Sequence, residues 1–295
     1  MPDPRRPRSA RIAVVRRTEQ LTPSMTRVVV GGEGLRGFDA SAHADSYVKV
    51  LFVHPAAPRP LPRAERDGGE VDPHRVDVDA VRDSLPPEHA PRMRSYTVRA
   101  FDAAALELTL DFVVHGDAGI AGPWAATTAP GDEILLLGPG GGYAPDPAAT
   151  HHLLVGDESA LPAIAVALER LPEHALGQVV VEVPGPQDEL LLAAPAGVEV
   201  TWVHQGAERP GARLVEAVRA LPWRAGDVQA FVHGEAGAVK ELRRYLRLER
   251  AMELDRLSIS GYWRLGVDDE GWRASKREWL ADVEAAERSQ QALSA

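Results

Sequence analysis

The hydrophobic pattern changes near residue 148, and this change divides the chain into two kinds of domain. Before it, six short runs rich in Val, Leu and Thr are separated by Gly, Pro and Asp, which form turns. One run, LELTLDFVV (106–114), alternates apolar and polar residues, as expected for a strand with one buried face. The six runs predict an antiparallel β-barrel over residues 1–147.

After this point, strand patterns and helix patterns alternate. The segment HHLLVGDESALPAIAVALERL (151–171) contains a short apolar strand, a turn of Gly and acidic residues, and a helix. Such alternation predicts a doubly wound parallel sheet over residues 148–295, with a C-terminal helix and with ligands at the carboxyl ends of the strands. Asp157 or Ser159 is expected to cap the first helix, and Pro162 suits its first turn.

Residues 55–73 contain five prolines and few large apolar side chains. A segment of this composition gains little from burial, so it is predicted to be a mobile surface loop. We expect deletion of residues 58–70 to leave the fold intact, because changes in loop length cost little. A short helix is expected within residues 76–88.

The chain contains no cysteine. This excludes disulfides, thiolate nucleophiles, Cys-ligated zinc and Fe–S clusters, so any redox chemistry needs a cofactor without sulfur ligands. The pair His151-His152 lacks the spacing of a zinc motif, and no metal site is expected.

The net charge of -10 argues against nucleic-acid binding, because attraction to phosphates requires a basic surface. The apolar runs are shorter than the ~20 residues of a membrane span. The basic N-terminus, MPDPRRPRSARIAVV, lacks the apolar core of a signal peptide. A soluble cytoplasmic protein is therefore expected.

The first candidate site is the sequence Arg94-Ser95-Tyr96-Thr97 on a predicted barrel strand. Arg94 and Tyr96 share one strand face, and Thr97 lies on the other. A guanidinium suits a pyrophosphate, and a phenol ring packs against a flat cofactor. The alternative is a half-buried strand with solvated arginines.

The second candidate is the strand end His115-Gly116 with the small-residue loop that follows. Small residues let the backbone approach a phosphate, and a following helical turn offers free N–H groups. His115 is interpreted either as a neighbour of the cofactor or as an ordinary strand-end histidine. The further candidates in this loop are Gly119, Ala121, Gly122, Trp124 and Ala125.

The third candidate is the strand–turn–helix segment Gly156-Asp157-Glu158-Ser159-Ala160. Its context suits a nucleotide phosphate at a helix N-terminus. The two acidic side chains disfavour phosphate, so they are expected to cap the helix or to contact ribose hydroxyls. The run Gly138–Gly142 opens no helix, and is either an interdomain turn near the cofactors or a linker.

Several motifs in order resemble the siderophore-interacting protein family of ferredoxin-reductase-like flavoproteins. They are RSYTVR (94–99), DFVVHG (111–116), the loop residues Gly119, Ala121, Trp124 and Ala125, LLVGDESALPAI (153–164), HGE (233–235) and SGYWRLG (260–266). The resemblance implies FAD bound between the barrel and the nucleotide-binding domain. It also implies that NADPH or NADH is the electron donor. In some members a protein such as ferredoxin donates the electrons instead. The family usually has Ser at position 122 and Pro at position 120, where this chain has Gly122 and Ile120.

The function implied by the resemblance is electron transfer from NAD(P)H through FAD to a ferric siderophore, which releases Fe(II). Trp263 is expected either to close the site over the isoalloxazine or to pack between the domains. Lys49 and Arg264 are expected to converge on the open edge of the flavin and to bind an anionic substrate. Lys49 has an alternative interpretation as an outward-facing strand lysine. The alternative functions are a non-catalytic siderophore-binding flavoprotein and a flavin reductase with a ferredoxin partner.

Overall fold

The computed structural model describes residues 8–66, 68–117 and 119–294, with side chains through residue 290. Residues 1–7, which carry part of the signal-peptide argument, lie outside the described residues, as do Asp67, Ala118 and Ala295. The chain forms two compact units. The first contains residues up to 141 except 22–24 and 43–45, and the second contains those two segments and residues 142–295.

The first unit is an antiparallel sheet whose strands follow the order β6-β3-β9-β1-β2-β8-β7, with β5 paired to β1 and β4 paired to β5. The two helices of this unit are α1 (Val78–Asp83) and α2 (Ala121–Thr127). Its strands are β1 (Ser9–Thr22), β2 (Met25–Gly31), β3 (Tyr47–Phe52), β4 (Arg63–Glu65), β5 (Val71–Asp77), β6 (Arg92–Thr97), β7 (Ala100–Asp102), β8 (Glu107–Val113) and β9 (Glu133–Gly140).

The sheet closes on itself through the residues between β6 and β7. These strands stand at opposite ends of the strand order, yet only Val98 and Arg99 separate them in sequence. The Val98 N–H donates to the Ser46 carbonyl at 2.7 Å, and the Arg99 N–H donates to the Thr109 carbonyl at 3.0 Å. The two edges are thereby joined, which confirms the predicted barrel. The alternating apolar residues of the strands fill it, among them Val28, Val48, Leu108, Leu110, Phe112 and Leu136.

The segment 55–73, predicted to be a mobile surface loop, contains regular structure and three buried side chains among its described residues. It contains β4 and the start of β5, and β5 pairs with β1. Ala57 and Leu61 are 5% and 6% exposed and join a second core cluster with Ile12, Leu51 and Val76. A few apolar side chains at the right positions therefore anchor a stretch whose overall composition is polar and proline-rich.

The second unit is a five-stranded parallel sheet in the order β12-β11-β10-β13-β14. The chain moves outward from β10 in one direction and then in the other, so the strand order reverses between β10 and β13. Its strands are β10 (His151–Asp157), β11 (Leu176–Val183), β12 (Gly197–His204), β13 (Val228–Glu235) and β14 (Leu257–Trp263). Its helices are α3 (Leu161–Arg170), α4 (Ala212–Ala220), α5 (Ala236–Arg244) and α6 (Asp269–Ser294).

Helices cover both faces of this sheet, as predicted for a doubly wound domain. Leu153 and Val155 of β10 share a core cluster with residues of α4 and α5. On the other face, a Cβ at Gly156 would lie 3.2 Å from Ile164 of α3. The helix α6 packs against β14 and places an Arg243–Glu287 ion pair in the interior, with N–O distances of 2.6 and 3.0 Å. Among the described residues, no helix combines the length and the apolarity that crossing a membrane requires.

Candidate functional site

Arg94 and Tyr96 lie on one face of β6, as the sequence predicts. Both are opposite core valines of β3 in the strand register. The Tyr96 ring packs on the barrel core, with its centroid 4.0 Å from that of Phe112. One guanidinium nitrogen of Arg94 donates to the Met93 carbonyl at 3.0 Å. Both side chains are half-buried, so a guanidinium and an aromatic ring are fixed near each other with part of each surface accessible.

Ser95, Thr97 and Lys49 lie on the opposite face. Lys49 is directly across from Ser95 in the register of β3 and β6. Its neighbours Val48 and Val50 belong to the barrel core, whereas Lys49 is half-buried and faces away from it. Lys49 therefore occupies the outward-facing position, on a different strand face from Arg94 and Tyr96.

The loop after β8 has an open backbone. The strand ends at Val113, so His115 and Gly116 are exposed residues of the loop. Gly116 and Gly119 have φ of +54° and +76°, which is the left-handed region that favours glycine. Apart from the adjoining residues, no atom of the described part of the chain lies within 4 Å of a Cβ built at either position. A ligand can therefore approach the main chain here closely.

The helix α2 uses its small side chains for packing. Ala121 and Ala125 belong to the barrel core, and a Cβ at Gly122 would lie 3.3 Å from the Val113 carbonyl oxygen. The Trp124 ring lies 5.4 Å from the ring of Phe112 and also contacts Phe52. These four residues can therefore reach a cofactor mainly through their backbone or the exposed part of the Trp124 ring.

In the second unit, the turn after β10 is organised by packing. A Cβ at Gly156 would lie 2.5 Å from the Ala160 Cβ and 2.7 Å from the His233 carbonyl oxygen, so glycine allows α3 and β13 to come close. The N-cap of α3 is Ala160, which makes no side-chain capping bond. The prediction that Asp157 or Ser159 caps this helix is therefore wrong, although Pro162 does lie in the first turn.

The carboxylate of Asp157 is turned toward the sheet, where four donors surround it. Oδ1 accepts from the Ser159 N–H at 2.9 Å and from the Ser159 hydroxyl at 2.5 Å. Oδ2 accepts from the Glu235 N–H and from the Trp263 Nε1–H, both at 2.8 Å. Burial raises the pKa of Asp157, and these hydrogen bonds oppose the rise. Both oxygens of Asp157 are thus engaged by donors of the protein itself.

Glu158 is buried as well, and it shares a serine hydroxyl with a second acid. The Ser24 hydroxyl contacts Glu158 Oε1 and lies 2.7 Å from Asp188 Oδ1, which also accepts from the Ser24 N–H at 3.2 Å. Burial raises the pKa of Glu158 to about 7, and the charges of Asp188 and Asp157 add to this rise. Glu158, for which a helix-capping or ribose contact is predicted, takes part in this buried cluster.

Trp263 and Arg264 end the last strand of the sheet. Trp263 is half-buried, with its indole nitrogen held by Asp157, and β14 shifts register against β13 at this point. Arg264 follows it and is exposed. Its side chain is therefore accessible to solvent at the carboxyl end of the sheet.

Sequence reasoning missed several residues that shape this end of the sheet. Ser24 carries no local signal, because its partner Glu158 is 134 positions away. Glu235 caps α5 by accepting from the Ala238 N–H at 2.9 Å, and Glu182 accepts from the Gly211 N–H at 2.6 Å. A lone acid inside an apolar run, as in VVVEV (179–183), is the signal that marks Glu182. In the part of the chain that the structure describes, no group of three or more His, Asp and Glu side chains is placed to hold a metal ion.

A barrel with an Arg-x-Tyr strand followed by a doubly wound sheet fits a two-unit flavoprotein, and the similarity to an FAD-binding domain and to reductases places the chain in the oxidoreductase class. Residues 14–143 match the model of the siderophore-interacting FAD-binding domain, and residues 149–266 match that of the siderophore-interacting protein. Together these matches cover most of the chain. The chain belongs to the siderophore-interacting protein family.

Known proteins of several bacteria are similar over nearly their whole length. An uncharacterised protein of Mycobacterium tuberculosis is 48% identical over 91% of this chain and 94% of its own. The ferric vibriobactin reductase ViuB of Vibrio cholerae is 33% identical over 88% and 91%. The NADPH-dependent ferric-chelate reductase of Escherichia coli is 29% identical over 84% and 91%. The crystal structure of a siderophore utilization protein from T. fusca has a TM-score of 0.73 at 37% identity, over 88% and 94% of the two chains.

Proposed function

We propose that this protein is a cytoplasmic NAD(P)H-dependent flavoenzyme that reduces ferric siderophores and releases the iron as Fe(II). It is an oxidoreductase that uses FAD and a nicotinamide nucleotide. The placement of Arg94 and Tyr96 together on β6, within the region that matches the FAD-binding domain, carries this proposal. The names of the Vibrio cholerae and Escherichia coli relatives support a ferric chelate as substrate.

The residues of the first unit suit FAD in their chemistry. Arg94 offers a guanidinium fork for the diphosphate, and Tyr96 offers a ring on which a flat isoalloxazine packs. The open backbone at Gly116 and Gly119 gives N–H groups access to phosphate oxygens. FAD, when bound, supplies the link between two-electron hydride chemistry and one-electron transfer. The protein's task is to hold and orient the cofactor.

Iron release follows from the preferences of the metal. Siderophores bind Fe(III) through hard oxygen ligands, which hold Fe(II) far less tightly. One electron delivered to the chelate therefore frees the iron without any bond being cleaved in the siderophore.

A stopped-flow experiment without oxygen tests the proposal. The oxidised protein is mixed with NADPH or NADH, and bleaching of the flavin absorbance is followed. The reduced protein is then mixed with a panel of ferric siderophores, and reoxidation is recorded together with trapping of Fe(II) by a chromogenic chelator. Bleaching by a nicotinamide and reoxidation by the chelate are expected.

Three other results would contradict the proposal in different ways. Bleaching by reduced ferredoxin, with none by either nicotinamide, would point to a protein donor. Bleaching that no ferric chelate reverses would point to another acceptor. Tight binding of a ferric siderophore without reoxidation would indicate a non-catalytic binding protein.

A further inference from the structure

The point where the strand order reverses, between β10 and β13, is occupied by the protein's own side chains. In doubly wound sheets, ligands bind outside the carboxyl ends of the strands at this switch point. Here Asp157, the last residue of β10, reaches across to β13. Gly234 has a φ of +145°, and a Cβ built on it would lie 2.6 Å from Asp157 Oδ2. The carboxylate therefore lies directly against the backbone at the end of β13.

In all four of its hydrogen bonds, an oxygen of the Asp157 carboxylate is the acceptor. All four of its partners donate, namely Ser159 N and Oγ, Glu235 N and Trp263 Nε1. An asparagine would turn an NH₂ group toward one pair of these donors. On the side of Glu235 and Trp263 it would lose two bonds, and on the side of Ser159 it would lose one, because there the serine hydroxyl can reverse and accept. Hydrogen bonds to a charged acceptor are the stronger kind. Asp157 thus joins its own turn, the end of β13 and the end of β14.

Of these partners, the Trp263 side chain is the one that can leave without unfolding the sheet. The Glu235 N–H belongs to the end of β13, and Ser159 is two residues from Asp157. Trp263, in contrast, ends β14 and is half-buried, and the residues 264–268 that follow are exposed. Breaking the bond to its indole leaves Oδ2 with the Glu235 N–H.

We propose that Asp157 is a positioning residue that fixes the Trp263 indole across the switch point, so that a nicotinamide dinucleotide gains access there only when the indole N–H leaves the carboxylate. The second half of this statement rests on the proposed function, and the first half does not. The Asp157 side chain acts through Trp263 and needs no contact with the dinucleotide.

The first experiment observes the indole N–H directly by NMR of the ¹⁵N-labelled holoprotein without nucleotide. The Trp263→Phe spectrum identifies the Trp263 Nε1–H signal by its disappearance. In Asp157→Ala, which removes both carboxylate oxygens, this signal is expected to shift and to exchange faster with solvent. Ser159→Ala removes a donor to Oδ1 and leaves Oδ2, so there the signal is expected to stay. An unchanged signal in Asp157→Ala overturns the role of Asp157.

The second experiment measures the dissociation constants of NADP⁺ and NAD⁺ by titration calorimetry, and the KM and kcat of flavin reduction. Trp263→Phe keeps an aromatic ring and removes the N–H, so we expect about tenfold tighter nucleotide binding and a lower KM, with no rise in kcat. Trp279→Phe, a matched substitution in α6, is expected to bind nucleotides like the wild type.

The two halves of the proposal fail separately. Unchanged nucleotide binding in Trp263→Phe overturns the access step. If neither the wild type nor Trp263→Phe binds or oxidises a nicotinamide nucleotide, the proposed function and the access step are both wrong, while the NMR result still decides the role of Asp157. Should Asp157→Ala fail to fold, the wild-type spectrum still decides the first half. A Trp263 signal that exchanges as fast in the wild type as that of a solvent-exposed indole overturns the anchor.

Discussion

Glu158 is buried beside Asp157 and Asp188, and this makes the folding stability of the second unit depend on pH. Its pKa is raised to about 7 from a usual value of 4.5, mainly by burial. Between these two values the folded state holds a proton that the unfolded chain has lost. The free energy of unfolding therefore falls as the pH rises from about 5 to 7.

Glu158→Gln is expected to remove this fall in the free energy of unfolding, because the amide is neutral at every pH. The variant should be more stable than the wild type by about 2 kcal/mol at pH 8 and nearly equal to it at pH 5. Urea unfolding at several pH values measures the difference. Glu173→Gln, at an exposed position of the same unit, is the control and should follow the wild type throughout. Parallel pH profiles for Glu158→Gln and the wild type would show that Glu158 does not hold this proton.

Arg94→Ala is expected to weaken FAD binding by about 1–3 kcal/mol, the value of a lost charge-assisted hydrogen bond. Arg94→Lys keeps the positive charge but lacks the planar guanidinium, so its affinity for FAD should lie between those of the wild type and Arg94→Ala. The measurement is the FAD dissociation constant of the apoprotein, followed by flavin fluorescence. Wild-type affinity in Arg94→Ala would mean that this strand does not hold the diphosphate.

The sequence could predict some of these residue positions and not others. That Arg94 and Tyr96 share a face follows from the period of two in a strand, which is a local property. The partners of Asp157 at Glu235 and Trp263 lie 78 and 106 residues away. Such contacts depend on the three-dimensional arrangement of three strand ends, and no local sequence pattern predicts them.

At the level of elements, β4 and the segment around it contain individual buried residues that the average composition of the segment does not reveal. Leu61 is 6% exposed within the cluster of Ile12, Leu51 and Val76. Leu61→Ala is expected to destabilise the first unit by about 2–4 kcal/mol, because it leaves a cavity among buried side chains. Val71→Ala, in the same segment but 54% exposed, should change the stability by less than about 0.5 kcal/mol. Thermal and urea unfolding of both variants provide the comparison.

Deletion of residues 58–70 is accordingly expected to destabilise the barrel, contrary to the expectation from composition. The deletion removes β4 and the buried side chains of Leu61 and Ala64. A melting temperature equal to that of the wild type would show that this packing contributes nothing. The composition of the segment did not indicate this packing, because Leu61 and Ala64 are isolated apolar residues among prolines and charged residues. Their burial depends on the pairing of β4 with β5.

At the scale of the molecule, the order of its elements was predictable because periodicity is local. Alternation in the first half and strand–helix alternation in the second correspond to the antiparallel and parallel sheets. The closure of the barrel through Val98 and Arg99 was not predictable in detail, because it depends on hydrogen bonds to Ser46 and Thr109. The connection of α6 through the Arg243–Glu287 pair likewise joins residues 44 positions apart.

The net charge of the whole molecule sets a condition for substrate binding. With a formal charge of -10, the protein repels an anionic ferric siderophore at long range, so recognition needs local cations. Lys49, on the outward face of β3, and Arg264, exposed after β14, are the residues that we propose for this role. Lys49→Ala and Arg264→Ala are each expected to raise the KM for a ferric siderophore by roughly threefold to tenfold, with the FAD content and the reduction by nicotinamide unchanged.

Ionic strength separates a local role of these cations from the effect of total charge. Lys240→Ala changes the net charge by the same amount at an exposed position of α5, so it serves as the matched control. If Lys49 and Arg264 attract the substrate, the KM of their variants and that of the wild type should approach each other as salt rises, because salt screens the attraction of charges that solvent reaches. Equal KM values for both variants, Lys240→Ala and the wild type at low salt would remove these residues from the substrate site. Loss of FAD in either variant would instead assign that residue to the cofactor.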